Sequence, residues 1–171
     1  GRESRRRLVS TYFDTPDHRL CAAGIFLRVR RAGRRMIQTV KAGARANAGL
    51  SDHLESETPL AGTLAMPDLE RIADDALRRA LDAARDGAVL QPVFTTEIQR
   101  TIRTVTMADG GEIEIAFDRG AVVAGHRRAA ISEVELELKQ GGPRALFDLA
   151  RRMLAVAPLR ISDESMAGRG F

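Results

Sequence analysis

The chain has one cysteine, no tryptophan and a single tyrosine in 171 residues, and each scarcity excludes something. With Cys21 alone, no intrachain disulfide can form, and nothing argues for an oxidising compartment. Aromatics make up 4% of the sequence, too few for the stacking platforms of a single-strand nucleic-acid binder. No apolar run approaches the roughly 20 residues of a membrane-spanning helix. No charged-then-apolar segment opens the chain as a secretory signal would. The expectation is a cytoplasmic protein without a membrane partner. An excess of one charge is missing too: 27 Lys+Arg face 23 Asp+Glu, a net of +4. That surplus is smaller than nucleic-acid recognition usually demands. There is no internal repeat and no phosphate-loop ending, for Gly43 to Gly49 lacks Gly-Lys-Ser/Thr and reads as a connector. His18, His53 and His126 lack metal-ligand spacing. The chain opens at Gly1, without methionine, on the basic stretch Arg2 to Arg7, which reads as a fragment or a processed form.

What is present is 44% hydrophobic and 29% charged, the composition of one globular domain. Strand composition marks 8–13, 25–31, 35–41 and 53–58, with a turn at Asp14-Thr15-Pro16-Asp17, a tight connection at Ala32-Gly33-Arg34, a loop at 42–50 and a stop at Pro59. The period then changes. Leu69, Ile72, Ala73, Ala76, Leu77, Ala80, Leu81 and Ala84 predict an amphipathic packing helix over 68–86, ending at Gly87. Strands resume at 93–107, 112–118 and 131–139, with a hairpin turn at Asp109-Gly110-Gly111. A second helix is expected from Pro143 to Val156, and the tail 158–171 reads as irregular. The fold class is α+β, dominated by antiparallel strands.

Residues two apart on a strand share a face. Glu133, Glu135 and Glu137 therefore lie together, opposite Val134, Leu136 and Leu138. Glu114 and Asp118 share a face with Glu112; Arg28 and Arg30 share one opposite Leu27 and Val29; Lys41 lies with Thr39, and Glu55 with Glu57. Each charged row could be the solvated side of a half-buried sheet. Solvation alone, however, favours mixed signs, and like charges side by side repel. Single-sign rows thus suggest counter-charges: divalent cations for the carboxylates, phosphate for the arginines. Together they would form a metal–polyphosphate site.

YFDTPDHRL at 12–20, LRVRR at 27–31, IQTVKAG at 37–43, EIAFDRG at 114–120 and ISEVELELK at 131–139 stand in the order of similar segments in the CYTH family, the triphosphate tunnel metalloenzymes. The ending SDESMAGRGF resembles that family's SK-x-x-RG-aromatic close. The resemblance covers nearly the whole chain and is nearest to the inorganic triphosphatase branch. It implies an eight-stranded antiparallel β-barrel, or tunnel, with flanking helices. Arg28, Arg30, Lys41, Arg100 and Arg169 would hold the triphosphate or polyphosphate. Glu133, Glu135, Glu137, Glu57, Glu114 and Asp118 would hold Mg²⁺ or Mn²⁺, with Glu133, Glu135 and Lys41 in catalytic roles. It also implies a fused CHAD domain, common after this branch.

Departures from the family pattern are local. No Glu-x-Glu-x-Lys first strand precedes Leu8, Met166 stands for a lysine, and Met36, Ser56 and Arg103 stand where tryptophans are common. The expectation is a single CYTH-like domain over 1–171, lacking that strand, which binds triphosphate but hydrolyses it poorly. The alternatives are a non-catalytic polyphosphate-binding module, or an adenylate cyclase of the same fold, for which the sequence shows no aromatic platform.

Overall fold

Alternating patterns dictate most of the architecture. A computed structural model describes residues 3–47, 50–61, 66–162 and 166–171. Seven strands account for most of them: β1 (Ser4–Asp14), β2 (Ile25–Ala32), β3 (Arg35–Asn47), β4 (Leu50–Leu60), β5 (Gln91–Thr106), β6 (Glu112–Ala124) and β7 (Arg127–Gln140). Three helices accompany them: α1 (Arg19–Ala22), α2 (Asp75–Arg85) and α3 (Arg144–Val156). All pairings are antiparallel, in the order β4-β3-β2-β1-β5-β6-β7. No ladder among the described residues joins β4 to β7. The described residues thus form one antiparallel seven-stranded sheet of the CYTH tunnel type, one strand fewer than the eight expected.

Each face has its own cover. On one, Phe13, Leu27, Val29, Met36 and Val40 pack against Leu20 of α1, Ile72, and Leu77 and Leu81 of α2. Leu20, Leu27 and Leu81 are fully buried, each contributing roughly 1.5–3 kcal/mol. Farther along the same face, Ile113 and Ile115 receive Ala145 and Leu149 of α3. The other face, called inner below, carries the charged rows.

Three elements depart from the sequence reading. The expected helix over 68–86 splits into a 3-10 turn at Leu69–Arg71 and α2. Asp74 is the cause, because its carboxylate accepts hydrogen bonds from the Ala76 and Leu77 backbone N–H groups and so starts a new helix. Gln38 fixes the earlier turn to the sheet, donating to the Asp68 carbonyl at 2.9 Å and accepting from its N–H at 2.7 Å. The expected loop at 42–50 is largely strand, with a register shift between Ala42 and Arg45. Pro59 does not end β4 but pairs with Ile37; an edge strand tolerates a missing N–H. No helix among the described residues is long and apolar enough to cross a membrane.

The YFDTPDHRL segment proves to be structural. Buried Asp14 accepts from the Thr15, Leu20 and Cys21 backbone N–H groups at 2.7, 2.8 and 2.9 Å. One carboxylate thereby closes the end of β1 onto α1. Thr15 Oγ1 donates to Asp17 at 2.8 Å and accepts from the Arg19 N–H at 2.9 Å.

Candidate functional site

Register decides which side chains meet, since directly paired residues share a face. One row runs Glu57–Thr39–Arg28–Tyr12–Phe94 across five strands. The next contains Ile37, Arg30, Ser10, Thr96 and Val122. Farther along, Arg100 stands opposite Asp118, which stands opposite Glu133. Glu135 faces Ala116, and Glu137 faces Glu114. Lys41 pairs with Phe26 on one side and Glu55 on the other. All the candidate strand residues thus share the inner face.

They divide into two groups on it. In the first, Lys41 Nζ lies 2.9 Å from Glu55, and Arg28 Nη2 lies 3.9 Å from Glu55 and 4.0 Å from Glu57. Thr39 Oγ1 donates to Glu57 at 3.3 Å. Arg30 Nε donates to Ser10 Oγ at 3.1 Å. Burial, with Arg28 beside it, pushes the Arg30 pKa down to about 10. Arg28 Nε is buried and has no hydrogen-bond partner among the described residues. Two adjacent guanidiniums, one losing hydration and one carrying an unanswered donor, suit an anion.

The second group is acidic. Asp118, Glu133 and Glu135 bring carboxylate oxygens within 4.8 Å of one another. Arg100 lies among them: its Nε and Nη2 reach Asp118 at 2.8 and 2.5 Å, and Nη2 reaches Glu135 at 2.6 Å. Burial opposes the Arg100 charge, but hydrogen bonds to Asp118 and Glu135 outweigh it and raise the pKa above the arginine norm. Arg169 comes from the tail to 3.5 Å from Glu133. Burial and neighbouring Glu135 nonetheless raise the Glu133 carboxyl above its usual range. Three hard oxygen donors, one of them reluctant to ionise unaided, fit a divalent cation such as Mg²⁺ or Mn²⁺.

The other candidate acids lie outside that cluster. Glu137 pairs with Lys139 at 2.6 Å, Glu57 belongs to the Arg28 group, and Glu114 faces Glu137 along the ladder. Ser10 and Glu55 contact the candidate cations, and Thr39 contacts Glu57, without having been singled out as site residues. Their alternation with Tyr12, Lys41 and Glu57 was the available signal. Cys21, within α1, has its thiol pKa raised by burial and takes no part on this face.

An aromatic group adjoins the arginines. Tyr12 and Phe94 stack with ring centroids 4.5 Å apart. Phe171 stands edge-on to Phe94 at 5.1 Å and to His18 at 5.2 Å, and lies 6.2 Å from Phe26. The sequence showed no such platform because its members stand at 12, 26, 94 and 171.

Comparison with known proteins places this geometry in context. Over 165 residues the chain is 32% identical to the inorganic triphosphatase of Haemophilus influenzae, covering 96% of this chain but 45% of that protein. It therefore spans about half the length of that curated relative. Among solved structures, a Hippeastrum protein proposed as an adenylyl cyclase, and described as having a dominant triphosphatase activity, superposes with a TM-score of 0.58. The match has 15% identity and covers 95% of this chain and 80% of that one. A Bacillus halodurans protein proposed as an adenylate cyclase gives 0.61 at 17% identity, over 96% and 82% of the two chains. At such identities these structures speak for the fold alone. The CYTH domain family model matches residues 1–171, and the chain belongs to the CYTH domain family.

Proposed function

We propose that the inner face binds a triphosphate and supports its metal-dependent hydrolysis, with inorganic triphosphate as substrate. The observation that carries this reading is the gathering, on one face, of Arg28, Arg30, Lys41 and Arg100 with the Asp118–Glu133–Glu135 group. The sequence likeness to an inorganic triphosphatase supports it. Arg28 and Arg30 would grip phosphate oxygens through their guanidinium forks, the unanswered Arg28 Nε among the donors. Lys41, held by Glu55, supplies a mobile point charge beside them.

Asp118, Glu133 and Glu135 would hold Mg²⁺ or Mn²⁺, which when bound would neutralise phosphate charge and acidify a water. Glu133 and Glu135 are the candidates for positioning the attacking water, and Glu133, whose carboxyl burial raises above its usual range, suits a base. Arg169 adds a cation from the tail, near the Met166 that stands where the family places lysine. The family's Glu-x-Glu-x-Lys strand and a following CHAD domain remain part of this proposal, as does a cytoplasmic location.

The test is phosphate release from inorganic triphosphate, ATP and thiamine triphosphate, with and without Mg²⁺ or Mn²⁺. It is done on full-length protein that includes the first-strand motif. Release from inorganic triphosphate only with metal is expected. Tight triphosphate binding without turnover would favour the polyphosphate-binding module. Pyrophosphate and cyclic AMP from ATP would favour the cyclase.

A further inference from the structure

Tyr12 and Phe94 of the aromatic group share a register row with Arg28 and lie one row from Arg30. Tyr12 is paired directly with Arg28 on one side and with Phe94 on the other, and Phe26 lies two residues before Arg28 on the same strand face. A ligand whose phosphates rest on Arg28 and Arg30 would carry anything attached to them toward these rings. A flat apolar surface beside a phosphate grip is the arrangement on which a nucleobase stacks.

In this chain the surface is covered. Phe171 meets Phe94 edge-on and lies against His18 and Phe26. Met166 and Ala167 pack against the apolar cluster of Leu8, Tyr12, Phe94 and Ile98. Gly170 makes the close approach feasible, because a Cβ there would fall 2.3 Å from the Phe94 ring. The cover and the charged site are one segment, since Arg169 reaches Glu133 from the residue before Gly170.

We propose that Phe171 occupies the stacking position of a nucleobase and thereby makes the site selective for triphosphates that carry no base. The inference rests on the triphosphate reading above and names its specificity-determining residue. It assigns the discrimination to occupancy of an aromatic slot, not to a difference in the phosphate grip. Gly170 is a positioning residue, acting through Phe171.

Two readouts test it. The first is the ratio of ATP to inorganic triphosphate affinity, by calorimetry, in the unmodified chain, Phe171→Ala, Phe171→Tyr and Gly170→Ala. Phe171→Ala should raise the ratio about tenfold, the order of one base–aromatic stack. Gly170→Ala should move it the same way by displacing the cover, and Phe171→Tyr should hold it at the unmodified value. The second is saturation-transfer NMR with adenosine, which has no phosphate and reads the slot alone. Signal is expected with Phe171→Ala and none with the unmodified chain. Loss of folding in Phe171→Ala would leave Gly170→Ala to carry both measurements. Triphosphate binding in every variant, with an unmoved ratio and silent adenosine, overturns the slot alone. An adenosine signal that falls on removing Phe171 also overturns it, making the ring a platform rather than a cover. Adenosine capture by Phe171→Ala in a chain that never binds triphosphate overturns the triphosphate reading and supports the slot.

Discussion

Arg30 shows how the charged face sets stability against binding. Burial and Arg28 push its pKa down to about 10, so its charge costs the ligand-free fold and is relieved by an anion. Arg30→Met should therefore melt at a higher temperature than the unmodified chain without ligand. It should also bind triphosphate more weakly by roughly 1.5–3 kcal/mol, the range for charged hydrogen bonds. Calorimetry with unchanged affinity in a folded variant would remove Arg30 from the phosphate grip. Glu133 behaves as the acidic counterpart. Its folded pKa lies above the ordinary 4.5, so between the two values the folded chain holds more proton than the unfolded one. Its stabilising contribution is complete below the unfolded value and is lost as pH rises through the folded one. Glu133→Gln should flatten that decline and melt higher at neutral pH in metal-free buffer. Parallel stability–pH curves for the two proteins would contradict the assigned shift.

At the scale of elements, strand parity was legible because a period of two needs no tertiary knowledge. Val29 and Leu27 face the helices while Arg28 and Arg30 face inward, as their alternation demands. What was not legible depended on contacts distant in sequence. The 42–50 segment, rich in Gly and Ala, has weak strand propensity, yet Arg45, Ala46 and Asn47 pair with β4. The helical stripe beginning at Leu69 concealed the new start at Asp74, because side-chain periodicity does not register a cap. Six acids on three strands were read as metal ligands, and only the fold shows that Asp118 of β6 gathers with Glu133 and Glu135 while Glu137, Glu57 and Glu114 stand apart. Asp14 carries the prediction that belongs to this scale. Its single carboxylate serves three backbone N–H groups where β1 meets a four-residue helix. Asp14→Ala leaves those donors buried and should cost roughly 3 kcal/mol or more in denaturant unfolding, with Asp14→Asn losing less. Gly120 is a second such point: a Cβ there would meet the Glu97 carbonyl at 1.9 Å, so Gly120→Ala should force β6 away from β5. A variant that unfolds at the same denaturant concentration as the unmodified chain would show that the strands give way easily.

Across the whole molecule, the inner face is two opposite charge groups linked by one arginine. Arg100 pairs with Asp118 and Glu135, while its charge is also felt by Arg30. In the absence of other ions it answers the acids, and its donors are then committed to them. A divalent cation taken up by Asp118, Glu133 and Glu135 would compete for the same carboxylate oxygens and release Arg100 toward phosphate. Phosphate drawn to Arg100 would in turn leave the carboxylates more in need of a cation. The two ligands should therefore help each other, and by linkage the help is reciprocal. Thermal melts should show a rise with Mn²⁺ alone and with triphosphate alone. The rise with both should exceed the sum, beyond what the Mn²⁺–triphosphate complex in solution explains. Glu135→Gln removes one of the two acids that hold Arg100 and one candidate cation ligand, so it should reduce both the Mn²⁺ shift and the excess. A midpoint unmoved by Mn²⁺ in the unmodified chain would mean that Arg100 and Arg169 satisfy the acids by themselves, and that this face takes its triphosphate without a metal of its own.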